Sequence, residues 1–497
     1  MGFKAILSKP LAAFIAARNQ NWKTKAIQTQ KRIFNELISS GQNTLFGKDH
    51  AFKNIHQEID FKQAVPVKDY EDFRPYIEKI KRGEKDILWT GMPLYLSKTS
   101  GTTSGVKYIP ITKESIPFHI SAARDALLMY IHETGNASFV DGKMIFLSGS
   151  PKLNTDGPVA TGRLSGIVNH YVPSYLHANR LPSYETNCME DWEQKLDAIV
   201  EETYKKDMRL ISGIPPWVQM YFDKLSEKTG KEIKHIFPNF SLFVYGGVNF
   251  EPYRQRIENA IGKKLDTIEL YPASEGFIAY QDTREEEGLL LLTNAGMYYE
   301  FIPVNEYHQA NPSRIGLSEV KIGVNYALLL STNAGLWAYS IGDTVRFVSL
   351  NPYRIIVTGR IKQFLSAFGE HVIVEEAEKA LRMASEFQDV EIIEFTVAPQ
   401  VAPASGLPYH EWFIEFAKMP ENINTFAEKL DLAMRKQNIY YHDLVSGNVI
   451  RPLQLRCMKK DAFISFMKAN GKLGGQNKVP RLANDRIIAD QLVQYKC

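Results

Sequence analysis

Cysteine is scarce: the 497 residues hold only Cys188, Cys457 and Cys497, an odd number at wide spacing. That excludes a disulfide framework or a cysteine zinc site and fits a reducing, cytoplasmic setting. The eleven histidines form no HExxH pattern, which removes the usual zinc-hydrolase signature. Excess charge is also missing. Fifty-nine Lys and Arg against 56 Asp and Glu leave +3, too little to argue for nucleic acid as a partner. Internal repeats and low-complexity tracts are absent, and no apolar run is long enough to cross a bilayer, so membrane insertion is not expected.

The first residues, "MGFKAILSKPLAAFIAARNQNWKTK", are interrupted by Lys9 and Pro10 and flanked by basic and polar residues. They read as a docking helix rather than a signal peptide, with Phe3, Ile6, Leu7, Phe14 and Ile15 on one stripe. Gly2 follows Met1, but Ile6 stands where N-myristoylation requires Ser or Thr.

What is present is globular composition at a length beyond one ordinary core. Helical spacing dominates to about Gly41. From "KMIFLSG" through "SLFVYGGV", short apolar runs ending near glycine or proline alternate with helical segments, the pattern of an α/β domain with parallel strands. After Gly288 the runs crowd together ("LLLLTN", "MYYEFIPV", "ALLLST", "LWAYS", "VRFVSL", "RIIVTG"), which predicts antiparallel sheet. Helix and strand then alternate again, enough for a small α+β domain. The expected division is 1–358 for a large N-terminal domain and 359–497 for a small, mobile C-terminal one.

Five stretches carry candidate chemistry. "KTSGTTSGVKYIP", Lys98 to Pro110, supplies two glycines, hydroxyls and a lysine, the means by which backbone N–H groups and one cation hold phosphate. It fails the kinase-type phosphate loop: three residues, not four, separate Gly101 from Gly105, and Val106 precedes Lys107. On its own it is also compatible with a plain turn. "YPASEG", Tyr271 to Gly276, follows a predicted strand. Glu275 could ligate Mg²⁺ or simply be solvated, and Tyr271 offers a flat face to a base. "YSIGDTVRF" places Asp343 in a predicted Gly-Asp turn between two strands, as a plain hairpin or as a ribose-binding carboxylate. Arg360 of "TGRIKQ" and the lysines of "NGKLGGQNKVPRL" read either as surface residues or as phosphate and ribose ligands.

In this order the five stretches resemble the adenylate-forming superfamily of acyl-CoA ligases, firefly luciferase and peptide-synthetase adenylation domains. More closely, the chain resembles the auxin-responsive promoter family of acyl-acid amido synthetases, through "TSGTTSG", "YPASEG" and "YSIGD", with "VPVKDYEDFRPYI" upstream and "GGQNKVPR" near the end. The resemblance implies an α/β adenylate-forming domain with an antiparallel subdomain and a mobile α+β lid. It assigns Ser100, Gly101, Thr102 and Thr103 to ATP phosphates and Lys107 to the end of the phosphate loop. Gly247 and Val248 go to the adenine, Tyr271 and Ser274 to the nucleotide, Glu275 to Mg²⁺ and Asp343 to the ribose. Arg360 reaches the nucleotide, Lys478 the acyl carboxylate and phosphate, and Gly359 and Lys362 form the hinge. His119, Ala123, Arg124, Arg163 and Tyr171 are acyl-site candidates, in segments where residue identities do not follow the family.

The implied reaction activates a carboxylic acid with Mg·ATP as an acyl-adenylate, releasing pyrophosphate. The acyl group then passes to an amino acid, giving an amide and AMP. An acyl-CoA ligase with the same first step, and a nucleotide-binding module without turnover, are the competing expectations.

Overall fold

The computed structural model describes residues 2–100, 106–171, 178–189, 191–247, 250–309, 311–361, 365, 367–368, 370, 372–447, 449–471 and 479–497, with the backbone alone at 100, 106, 216, 251, 252, 439 and 440. It divides into two compact units. The first comprises Met1–Val248, Glu258–Ile341 and Val345–Ile356. The second comprises Asn249–Ile257, Gly342–Thr344 and Val357–Cys497.

The strands are β1 (Tyr95–Ser100), β2 (Val106–Ile111), β3 (Lys143–Phe146), β4 (Ala160–Gly162), β5 (Arg180–Leu181), β6 (Met208–Ser212), β7 (Leu242–Gly246), β8 (Asp266–Pro272), β9 (Phe277–Tyr280), β10 (Leu289–Leu291), β11 (Met297–Pro303), β12 (Ile315–Gly316), β13 (Asn325–Thr332), β14 (Tyr339–Leu350) and β15 (Tyr353–Arg360). Strands β16 (Glu391–Gln400), β17 (Tyr409–Lys418) and β18 (Gln454–Met458) follow. Twelve strands form one sheet in the order β12-β11-β13-β14-β15-β10-β9-β8-β7-β6-β3-β5. The run β5-β3-β6-β7-β8 is parallel. Strands β8, β9, β10 and β15 pair antiparallel, as do β12, β11 and β13. The antiparallel pairing expected from about Gly288 begins earlier, where β9 turns back on β8 after Pro272, and it continues within the same sheet.

The parallel strands end together at Phe146, Ser212, Gly246 and Pro272, and the carboxyl edge of such a sheet is where α/β proteins bind ligands. A second, three-stranded sheet, β2-β1-β4, carries the candidate phosphate-loop stretch between β1 and β2. Local capping steers a helix toward it. Asp69 accepts from Glu71 N at 2.8 Å while Asp72 accepts from Asp69 N at 2.8 Å, starting the helix Tyr70–Lys81. Its apolar face, Tyr70, Phe73, Ile77 and Ile80, is buried, and Tyr70 Oη accepts from Tyr108 N at 2.9 Å.

The N-terminal helix, Phe3–Thr24, corrects one expectation. Its docked face is Ala5, Ala12, Ile15 and Asn19, while Phe3, Ile6, Leu7 and Phe14 stay exposed. Small residues let the helix approach its neighbour closely. Asn19 then donates to Tyr280 Oη at 3.3 Å, and Arg18 pairs with Asp125 at 2.7 Å.

A buried ion pair locks the antiparallel half. Arg314 grips both oxygens of Glu300 at 2.7 and 2.6 Å and donates to Val65 O at 2.6 Å. Glu300 is almost wholly buried. Arg314→Met strands that carboxylate, and we expect a loss of about 3–5 kcal/mol in urea unfolding. A loss below about 1 kcal/mol would show that water or another donor replaces the guanidinium.

The second unit carries the sheet β16-β17-β18, with the helices Val374–Gln388 and Ile423–Gln437 packed together. Phe395, Trp412, Ile414, Phe426, Leu430 and Met434 fill its core. The α+β character expected from the sequence is present.

Candidate functional site

The hairpin that holds the candidate phosphate loop is set by register. Strand β1 pairs antiparallel with β2, Ser100 opposite Val106 and Thr99 opposite Lys107. Gly101, Thr102 and Thr103 lie outside the described residues, and Ser100 is placed by its backbone. Lys107 is half-buried on β2, its Nζ 5.6 Å from the Tyr70 ring centre.

The "YPASEG" stretch is the turn from β8 into β9. Ala273 N donates to Gly276 O at 3.0 Å and Gly276 N to Ala273 O at 3.2 Å, closing the turn from both sides. Tyr271, Ser274 and Glu275 are all buried. The Ser97 and Ser274 hydroxyls meet at 3.0 Å, so the strand that leads into the phosphate loop touches the turn that carries Glu275. These two sequence-predicted motifs, 177 residues apart, are thereby brought together.

Gly246 ends β7 directly beside Leu270 of β8. A Cβ there would lie 2.4 Å from Leu270 O, so only glycine permits this strand spacing. Gly247 follows with φ +73° and is exposed. Val248 is outside the described residues.

In the second unit the structure alters the context of Asp343. Strand β14 runs unbroken from Tyr339 to Leu350, so the expected Gly-Asp turn is absent. Gly342 takes φ +85° within the strand, where glycine avoids the usual steric cost. Arg360 Nε reaches Asp343 Oδ1 at 2.7 Å, the arginine side chain 42% exposed and the carboxylate 15%. Thr358 Oγ1 donates to Thr344 Oγ1 at 2.8 Å and ties the neighbouring backbone. Gly359 has φ +152°, and Lys362 lies outside the described residues.

Lys478 also lies outside them, but the residues that follow are firmly held. Arg481, three positions on, is buried. It donates to Tyr253 Oη at 2.5 Å and Phe395 O at 3.2 Å, and it pairs with Glu394. Its own carbonyl accepts from Val397 N at 2.9 Å, and Pro480 O accepts from Thr396 Oγ1 at 2.6 Å.

The acyl-site candidates separate. His119, on the helix Ile116–Thr134, is buried with Nδ1 unpartnered among the described residues. Burial pushes its pKa down to about 4, so the ring is neutral at neutral pH. Ala123 is half-buried. Arg124 is exposed and held by the adjacent Asp125 at 2.8 and 2.6 Å. Tyr171 donates to Tyr95 Oη at 3.2 Å with the rings edge to face, and both tyrosines pack on a small apolar cluster of Ile111, Ile116, Leu164 and Ile167. Arg163 stands between β4 and the helix Leu164–Asn169 and is half-buried. Tyr171 and Arg163 thus share the surroundings of β1; Arg124 is turned to Asp125.

Sequence reading missed Ser97, Arg180, Lys195 and Arg481. Ser97 sits two residues before Thr99 and so faces the same side of β1, a period-two signal that was available. Arg481 closes the quoted stretch "GGQNKVPR", where it was given no role, whereas Arg180 and Lys195 carry no local pattern.

Profiles of the GH3 family match nearly the whole chain: the N-terminal domain over residues 17–177 and 159–266, the central domain over 290–360 and the C-terminal domain over 375–487. Among curated relatives, the jasmonoyl-L-amino acid synthetase JAR4 of Nicotiana attenuata is 22% identical, covering 91% of this chain and 90% of its own. The indole-3-acetic acid-amido synthetase GH3.3 of Arabidopsis thaliana is 22% identical, covering 93% and 90%. The solved GH3.15 acyl acid amido synthetase shares the fold at TM-score 0.80 and 18% identity, covering 98% of this chain and 96% of that one. A 2-hydroxyisobutyryl-CoA ligase in the postadenylation state matches at TM-score 0.61 and 12% identity, covering 94% and 90%. The chain belongs to the GH3 family and is an acyl-acid amido synthetase, an ATP-using ligase that makes an amide through an acyl-adenylate.

Proposed function

We propose that this enzyme activates an apolar, ring-bearing carboxylic acid on Mg·ATP and conjugates it to an amino acid, using the residues named above. The observation that carries the site assignment is the Ser97–Ser274 contact. It joins the phosphate-loop strand to the "YPASEG" turn, at the carboxyl edge where Gly246 and Gly247 also sit. Relatives named for jasmonate and indole-3-acetate conjugation support the class of acid, as does the apolar cluster bearing Tyr95 and Tyr171.

In the first half-reaction an oxygen of the acid's carboxylate attacks the α-phosphorus and pyrophosphate leaves. Two anions must be held together, so catalysis lies in positioning and charge neutralisation. Loop N–H groups at Ser100 to Thr103, with Lys107, take the phosphates. Tyr271 and the Gly247–Val248 backbone receive the adenine, while Asp343, oriented by Arg360, receives the ribose. Lys478 bridges the acid and the phosphate. Mg²⁺ is typically bound by one or two carboxylates with substrate phosphates and water, and Glu275 is the carboxylate we assign. In the second half-reaction the amino group attacks the acyl carbon and AMP leaves. Gly359 and Lys362 form the hinge that exchanges the two arrangements.

Likeness to a CoA ligase fold supports one rival, with a thiol as the acceptor. Mass spectrometry of products formed from ATP, an indolyl or cyclopentyl acid, and either pooled amino acids or coenzyme A separates them. An amide with AMP is expected. A thioester with coenzyme A and no amide would overturn the proposed acceptor.

A further inference from the structure

Three cations converge on the segment that leaves β3, and no carboxylate pairs with any of them among the described residues. Lys195 is 2% exposed and donates to Ser148 O at 2.9 Å and Asn187 O at 2.7 Å. Arg163 lies against the next residue, Gly149, where a Cβ would sit 2.6 Å from Arg163 Cδ. The Arg180 guanidinium lies 5.6 Å from the Phe146 ring centre and donates to Asn169 Oδ1. Asn169 ends the helix that Arg163 precedes.

Clustering desolvated charges of one sign is unfavourable unless something compensates them. Burial lowers the pKa of all three, and Lys195 falls to about 8 with Arg163 contributing. Close approach is built in as well: a Cβ on Gly166 would lie 2.7 Å from Ser150 O, so the helix presses onto the segment after Gly149.

The location gives this charge a use. Arg163 directly follows Gly162, which pairs with Ser97, and Ser97 touches Ser274. The cluster therefore flanks the junction of the phosphate-loop strand and the "YPASEG" turn. The acid's own carboxylate is consumed at the α-phosphate, whereas the acceptor keeps its carboxylate throughout.

We propose that Arg163, backed by Lys195 and Arg180, is an anion subsite that binds the α-carboxylate of the acceptor amino acid and selects amino acids over simple amines. The inference rests on the amido-synthetase reading of the site. A second acid group on the acyl substrate would present the same chemistry, and the experiment separates the two sources.

Acid-dependent ATP–pyrophosphate exchange, which needs no acceptor, is measured beside amide formation with the best of the twenty amino acids and with that amino acid's carboxamide. Wild type should prefer the free carboxylate by at least about 100-fold in kcat/KM. Arg163→Met should raise the amino acid KM about 30-fold or more, leave the carboxamide KM within about threefold, and recover in part as Arg163→Lys. Thermal melting should hold steady or rise, since the variant removes a half-buried charge that no carboxylate offsets among the described residues. A larger rise in the acid's KM in the exchange assay would keep the anion subsite but assign it to the acyl substrate, overturning the acceptor assignment. Equal use of amino acid and carboxamide by wild type, with neither KM moved by Arg163→Met, would overturn the subsite altogether. Failure of wild type to exchange pyrophosphate with any acid would instead count against the proposed function.

Discussion

Glu275→Ala is expected to cut acid-dependent ATP–pyrophosphate exchange by about 10²–10³-fold, the cost typical of removing one preorganised electrostatic group. The carboxylate sits in a turn closed by two backbone hydrogen bonds, and its neighbour Ser274 is fixed to Ser97. It is also 9% exposed, so little water competes for it and little reorganisation precedes the reaction. Glu275→Gln keeps the shape of the side chain and removes only its charge. If the charge holds Mg²⁺, the glutamine variant should be nearly as poor as the alanine variant, and the Mg²⁺ concentration for half-maximal exchange should rise about tenfold. Exchange by Glu275→Gln within threefold of wild type would reduce Glu275 to a structural residue.

Gly246→Ala is expected to weaken the fold and the carboxyl edge together. Its new methyl would meet Leu270 O, an atom of strand backbone with no rotamer to yield. Strands β7 and β8 must part at their carboxyl ends, at a cost of about 3 kcal/mol, or roughly 3–4 °C in the Tm of a chain this long. The nucleotide edge would move with them, so the KM for ATP should rise in the surviving folded protein. Gly230→Ala is the control. Gly230 has φ +66° with open space around its Cβ position, so that variant reports the left-handed backbone cost alone, about 1 kcal/mol. Equal destabilisation by the two substitutions would show that close approach at Gly246 is not the constraint.

Legibility followed chain locality. "SLFVYGGV" announces β7 because an apolar run meets a glycine pair, and the turn "YPASEG" falls where the strand "DTIEL" stops. Both signals are local in the chain and both motifs reach the carboxyl edge. Asp343 was misplaced because Gly-Asp is a turn signal, whereas here the glycine spends its conformational freedom inside a long strand. The N-terminal helix showed the opposite failure. Of the expected apolar stripe Ile15 docks, but Phe3, Ile6, Leu7 and Phe14 stay exposed, and the rest of the docked side is Ala5, Ala12 and the polar Asn19. Arg163, Arg180 and Lys195 were illegible as a group, since β4, β5 and a helix bring them together only through tertiary packing.

The central claim is that motifs scattered along the chain grip one Mg·ATP and transfer its adenylyl group to an acid. Acid-dependent exchange of labelled pyrophosphate into ATP, run with aryl, indolyl and fatty acids in the absence of any acceptor, tests it most directly. The account predicts exchange that needs both acid and Mg²⁺, a near-complete loss of it in Lys478→Ala, and AMP as the nucleotide product once an amino acid is added. ADP and phosphate as products, or exchange undiminished in Lys478→Ala, would contradict it.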